Sequence, residues 1–258
     1  MCLILIAWRV HPEYPCVVAA NRDEFHTRAA APAHWWTDKP HILAGRDLSA
    51  GGTWLGLTRT GRLAALTNYR GSERKAPDAP SRGGLVTAIL DSASSVADDL
   101  AYLGDVGPAY NGFSLIFTDG EELGVFESEL SRARILGPGI YGLSNHLLDT
   151  PWPKVLNAKS DLESALADLS DANSLLALLR DDKPAPDDQL PLSGVSQEWE
   201  RLLSSAFVRA AEYGTRCSTV VRINRSGRAC FDEWSWDANG AQTGRVSLQY
   251  ELARERAR

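Results

Sequence analysis

Cys2, directly behind the initiating methionine, is the residue whose type and position most openly suggest chemistry. Once Met1 is removed, Cys2 carries a thiol and a free α-amine on one residue. The amine has an ordinary pKa of about 7.7–8.0 and the thiol about 8.5. A neutral amine can therefore take the thiol proton near pH 7 without a histidine, the logic of N-terminal threonine enzymes. Two other readings compete: a small buried hydrophobe, and the edge of a targeting segment. The apolar run Cys2 to Trp8 has no basic flank before it and stops at Arg9-Val10-His11-Pro12. It sits at the lower edge of a signal-peptide apolar region and falls far short of the roughly 18 residues of a membrane helix.

Polar groups that could serve Cys2 stand at the ends of three apolar stretches. Asn21, Arg22, Asp23 and Glu24 follow CVVAA; Asn68, Tyr69 and Arg70 follow RLAALT; Asn145 closes IYGLS. A charge run is usually a solvated strand end. Asparagine, however, is depleted in strands, and three strands ending in it suggest amides converging on one rim where an oxyanion or carboxyl group could sit. In that arrangement Arg22 depresses the thiol pKa, Asp23 or Glu24 orients the amine, and Asn68 or Asn145 holds the tetrahedral oxyanion.

Several function classes are excluded or disfavoured. A net charge of −6 and no concentrated basic face argue against nucleic acid. The five histidines form no HExxH or helical i,i+4 pair, and the four cysteines form no CxxC, so no metal site is expected. GPGIYG at 137–142 satisfies GxGxxG, but a strand rather than a helix follows it, so it reads as a turn. Disulfides are not expected either. A hairpin turning near Glu13 sets Cys2 opposite Glu24, away from Cys16, and one near Arg225-Ser226 sets Cys217 opposite Trp234, away from Cys230. Free thiols fit a reducing compartment, and a soluble, cytoplasmic protein is the expectation.

The elements that must position these residues follow from the pattern. Strands are expected at 2–10, 16–21, ILAGRD, GGTWLGLT, RLAALTNYR, GFSLIFTD, GVFESE, RARIL, IYGLSN, RCSTVVRI, ACFDEWSW and VSLQYEL. Helices are expected from Ser81 as N-cap through GGLVTAIL, over 95–104, from Trp152 to 182, and from Ser196 to 212. Hairpins at both ends with helices between predict α+β layering in one domain, residues 1–258. Trp35, Trp36 and Trp54 are expected near the site, where a large apolar ligand would favour them.

The sequence also resembles a known family. MCLILIAW, NRDE at 21–24, ILAGRD at 42–47, GGTWLG at 51–56, LTNYR at 66–70, SRGGLV at 81–86, YGLSN at 141–145 and YGTRCSTVV at 213–221 are similar, in this order, to the NRDE family, the transport and Golgi organisation proteins. That family is in turn similar to the cysteine branch of the N-terminal-nucleophile hydrolases. The resemblance implies a four-layer αββα sandwich of two antiparallel sheets. It implies Cys2 as nucleophile, Arg22 as the arginine closing the second strand, Asn68 in the oxyanion hole, Asn145 against substrate and α-amine, and Arg216 as a late basic residue. In those amidases two residues separate the arginine from the aspartate, whereas Asp23 adjoins Arg22.

Two functions follow as expectations. One is hydrolysis of an amide C–N or thioester bond of a small amphipathic substrate through S-acyl Cys2, which needs no cofactor. The other, in line with the family's association with haem trafficking and acyl-CoA or lipid metabolism, is a carrier holding haem or acyl-CoA in the same cleft. For either, Asn21, Glu24, Arg46, Trp54, Tyr69, Arg70 and Arg216 are the candidate ligand-binding residues, since arginine suits planar anions.

Overall fold

The first two strands are apolar on both sides, and that alone demands two covering layers. In the computed structural model, which describes residues 2–71 and 76–253, these are β1 (Cys2–Trp8) and β2 (Cys16–Phe25). Ile4, Ile6, Trp8, Cys16, Val18 and Ala20 face one core; Leu3, Leu5, Ala7, Val17 and Ala19 face another. Near-continuous apolar runs of this kind mark strands buried on both faces.

Seven strands form the second sheet in sequence order: β3 (Ala30–Trp35), β4 (Ile42–Asp47), β5 (Leu55–Thr58), β6 (Leu63–Asn68), β7 (Phe113–Thr118), β8 (Leu123–Glu127) and β9 (Arg132–Leu136). The chain then returns to the first sheet with β10 (Gly139–Leu143), β11 (Tyr213–Ile223), β12 (Arg228–Trp236) and β13 (Gln242–Glu251), giving the order β10-β1-β2-β11-β12-β13. Every pairing is antiparallel. Helices α1 (Gly83–Asp91) and α2 (Val96–Val106) cover the outer face of the seven-stranded sheet, through Leu85, Val86, Ile89 and Leu103. Helices α3 (Pro153–Ala165) and α4 (Asn173–Leu179) cover the outer face of the other, through Val155, Leu162, Leu175 and Leu179. The result is the α+β, four-layer αββα sandwich, with its central core between the sheets.

The details differ from the sequence reading in instructive places. The β1–β2 turn centres on Pro12, not Glu13, because Arg9 takes a left-handed φ of 52° and its N–H closes on Pro15 O at 2.7 Å. Cys2 therefore pairs with Arg22 rather than Glu24; a two-residue slip keeps the same face. Cys217 pairs with Ser235 rather than Trp234. The Trp/Pro-rich stretch contains an edge strand, β3, that tolerates Pro32 beside a bulge between Ala31 and His34. The last predicted helix stops early, as α5 (Gln197–Leu202). Phe207 and Val208 instead give their N–H groups to Asp181 O and Thr215 Oγ1, and Phe207 packs edge-on to Trp236. Residues 137–142 hold the crossover from β9 to β10, which pairs with β1, so the glycine motif carries the chain between sheets.

Arg82, not Ser81, is the N-cap of α1. Gly52 sets where that helix begins: a Cβ there would meet the carbonyl carbon of Gly83 at 2.5 Å. Gly52→Ala is therefore expected to lower stability in urea unfolding by about 1–3 kcal/mol. Gly84→Ala, with open space around its Cβ, should raise it by roughly 0.5–1 kcal/mol. Equal effects at both positions would refute this account of how α1 is seated.

Candidate active site

The site grows out of one row across the first sheet. Cys2 pairs with Arg22, Arg22 with Cys217, and Cys217 with Ser235, so four strands present one residue each on the inner face. On this face Ile4, Ala20 and Val221 belong to the apolar core. Beyond them the sheets part around a cavity of about 510 Å³ lined by Cys2, Arg22, Asn68, Arg82, Cys217 and Glu233, among others. A β-bulge between Thr215 and Cys217 leaves Arg216 as the extra residue of β11. Bulges re-aim side chains, and here Arg216 reaches across to donate from Nη1 to Phe25 O and Arg28 O at 2.9 and 3.1 Å.

Cys2 is anchored by its backbone. Its nitrogen donates to Asn145 Oδ1 at 3.0 Å, and its carbonyl accepts from Ser144 Oγ at 3.0 Å. Asn145 holds a left-handed φ of 51°, accepts from Arg70 N through its carbonyl at 2.7 Å, and donates from Nδ2 to Asn68 O at 2.9 Å. One amide thus links the ends of β1, β6 and β10.

At Cys2 burial outweighs the lowering that Arg22 exerts on the thiol. Burial pushes Cys2 above its ordinary value and Asp23 adds to this, while the positive charge of the chain's N-terminus, then a backbone hydrogen bond from Asp23 and the Arg22 charge, oppose it by less. Arg22 is shared between Glu24 at 3.9 Å and Asp47 at 3.7 Å, so little of its field remains for the thiol. A resting thiol of this kind needs a base. Glu24 is engaged with Arg22 and Arg28. Asp23, buried and accepting from Thr215 Oγ1 at 2.7 Å, is the carboxylate whose field reaches Cys2.

Sequence reasoning did not single out Lys154, at the start of α3. It is 5% exposed, its Nζ has no hydrogen-bond partner among the described residues, and burial pushes its pKa down to about 8, opposed by Asp23. The same lysine helps restrain the upward shift that burial imposes on Asp23.

The sequence pattern of the Transport and Golgi organisation 2 family matches residues 1–238. The chain belongs to this family. It is 37% identical to the Transport and Golgi organization protein 2 homolog of Bos taurus, over 91% of this chain and 93% of that protein. It is 30% identical to Transport and Golgi organization protein 2 of Drosophila melanogaster, over 90% and 91%. Among solved structures, a mutant of the conjugated bile acid hydrolase from Clostridium perfringens superposes with a TM-score of 0.50 at 8% identity, covering 98% of this chain and 92% of that one. That likeness concerns the fold, the N-terminal-nucleophile hydrolase sandwich.

In this family member the cavity gathers Cys2, Arg22, Asp23, Glu24, Arg46, Trp54, Asn68 and Arg216. Asn145 stands behind Cys2. Three candidate ligand contacts are directed elsewhere. Asn21 faces the outer helices, donating to Leu179 O and Ala206 O and accepting from Ser218 Oγ. The Tyr69 hydroxyl meets His146 Nε2 at 2.7 Å. Arg70 is buried in an ion pair with Glu200 at 2.7 Å and lies over Trp152. The period-2 alternation explains Asn21: its neighbours Ala20 and Arg22 point the other way. Trp36 is buried under α1 and Trp35 packs against Tyr250, so neither lines the cavity. Residues the sequence reading passed over include Arg28, Asp47, Arg82, Cys217 and Glu233. SRGGLV and YGTRCSTVV were legible as motifs, but nothing in them said which member faces Cys2. All four cysteines are free, and the described residues contain no cluster of metal-ligating side chains.

Lys154→Met tests the buried ammonium. The folded-state pKa lies below the ordinary 10.5, so between pH 8 and 10.5 the unfolded chain binds a proton the folded one lacks. This residue's unfavourable contribution, on the order of 3 kcal/mol, is full below pH 8 and fades as pH rises. The variant should therefore melt higher than the parent at pH 7, with the difference shrinking toward pH 10. A lower melting temperature at pH 7 would show instead that the ammonium is net stabilising.

Proposed function

We propose that the protein is an N-terminal-cysteine hydrolase of amide C–N or thioester bonds in small amphipathic acyl compounds. The observation that carries this reading is the 3.0 Å hydrogen bond from the Cys2 nitrogen to Asn145 Oδ1. When Met1 is removed, that nitrogen becomes the α-amine, already held by a fixed acceptor beside the thiol. Cys2 lies on the wall of a cavity large enough for a small acyl compound.

The chemistry proceeds from these groups. The neutral amine takes the Sγ proton, and the thiolate attacks the acyl carbon. The tetrahedral oxyanion forms at the rim, where the Asn68 side chain is the available amide. Asn145 Nδ2 is committed to Asn68 O, so the oxyanion role goes to Asn68 and the orientation of the amine to Asn145. The ammonium returns its proton to the leaving nitrogen or sulfur as the C–N or C–S bond breaks. Water then attacks the S-acyl carbon, releasing the acid and the Cys2 thiol. Asp23 stabilises the ammonium form of the amine during each cycle.

The second reading is a carrier that uses the cavity without chemistry. It is favoured by the raised thiol pKa, which leaves Cys2 inert while a peptide bond precedes it. Haem fits poorly, because the described lining offers iron no histidine or methionine, only two thiols raised by burial. An acyl thioester fits better.

Intact mass of the purified protein decides whether the amine is free. With Met1 absent, a reactive thioester should leave an acyl adduct on Cys2 that is missing in Cys2→Ala. Asn68→Ala should slow acylation about 10²–10³-fold, the usual effect of one lost oxyanion donor. Retained Met1, or an adduct persisting in Cys2→Ala, sinks the mechanism.

A further inference from the structure

Five arginines and four carboxylates line the Cys2 cavity, and their pairing is uneven. Arg28 is bonded to Asp47 at 2.6 Å, with Glu24 at 3.9 Å. Arg22 shares the same two acids. Arg46 is held in a fork by Asp38, 2.6 and 2.8 Å away, and lies over Trp36. Asp23 faces Lys154. Glu233 accepts from Ala33 N at 2.7 Å and is pushed by burial toward its neutral acid.

Two guanidinium groups are left over. Arg82 donates from Nη1 to Gly112 O at 3.0 Å, and Arg216 donates to Phe25 O and Arg28 O. Neither makes an ion pair with a described carboxylate. Carbonyl oxygens fix the orientation of a guanidinium but do not cancel its charge. Glu24 acts on Arg82 only through space, and Arg28 opposes it. Two half-buried cations without a counter-ion among the described residues are costly in a cleft of low dielectric. An anion arriving with the ligand would offset that cost, and the arginine fork matches carboxylate and phosphate oxygens. Arg82 also caps α1, whose first-turn N–H groups favour negative charge at the same end.

We propose that Arg82 and Arg216 form an anion subsite beside Cys2, so that the compound bound there is an acyl compound bearing a carboxylate or phosphate group. The assignment of an acyl ligand rests on the hydrolase reading above; the anion preference does not.

The test needs no substrate. Cys2 is alkylated with iodoacetate, which is anionic, and with iodoacetamide, which is neutral; in each case the thiolate displaces iodide. Peptide mass reads the adduct at Cys2. The ratio of the two rates cancels any change in thiolate fraction. Relative to a free cysteine peptide, the ratio should be raised by about tenfold or more, as expected for a focused positive site. It should fall several-fold in Arg82→Gln and in Arg216→Gln, and recover in part in Arg82→Lys. A ratio equal to the peptide's, or one unchanged in both glutamine variants, overturns the subsite.

Protection of Cys2 by inorganic phosphate against that by succinate distinguishes a phosphate from a carboxylate ligand; protection by neither overturns the proposal. Should Cys2 resist both reagents, the rise in melting temperature induced by each anion is measured instead, and its absence is equally decisive. Loss of acyl-adduct formation with the anion preference intact would sink hydrolysis and leave the subsite standing. The reverse result would sink the subsite alone.

Discussion

The double-sided burial of β1 and β2 is the constraint on which the rest of this molecule depends. Leu3 to Trp8 and Cys16 to Ala20 are each 3% exposed or less, so no face of the hairpin can meet water. A second sheet must cover one side and helices the other, and both edges of the hairpin must be paired. β10 takes one edge and β11 the other. Each fully buried aliphatic side chain contributes about 1.5–3 kcal/mol, far more than the polar contacts at the strand ends can oppose. The layers are settled by the core, and the site inherits its geometry from them.

That inheritance is visible at Cys2. With β10 paired to β1 through Leu143 and Ile4, continuing the register by two residues brings Asn145 level with Cys2. The same hairpin register sets Arg22 beside Cys2, and β11 sets Cys217 beside Arg22. No local signal encodes these neighbours, because the residues lie on strands far apart in sequence. The left-handed backbone of Asn145 completes the arrangement, and asparagine adopts that conformation more readily than most residues.

The electrostatics show a different balance. In the sequence, an arginine following a buried strand looks like a device for stabilising a thiolate. In the fold, Arg22 is drawn to Glu24 and Asp47, and desolvation governs the thiol. Lys154 was invisible because its helix shows only an apolar stripe with a lysine near its start; its approach to Asp23 exists only once α3 docks on β1 and β10. Arg82 was hidden within a recognisable motif for a similar reason. Its lack of a described acid partner depends on where Arg22, Arg28 and Arg46 find theirs.

What the sequence determined by itself was the alternation of buried faces, hence two antiparallel sheets with helices outside, and the polar residues stationed at strand ends near Cys2. These are consequences of period-2 patterning and of residue type, which act locally. The family, too, was legible in the order of its motifs. Only the tertiary structure decided which of those polar residues share the cavity. It turned Asn21 to the helices, buried Arg70 against Glu200, joined Asn145 to the Cys2 nitrogen, and left Arg82 and Arg216 without an acid among the described residues. The physical reason is that side-chain partnership and desolvation are set by distances between segments remote in the chain, which no local pattern records.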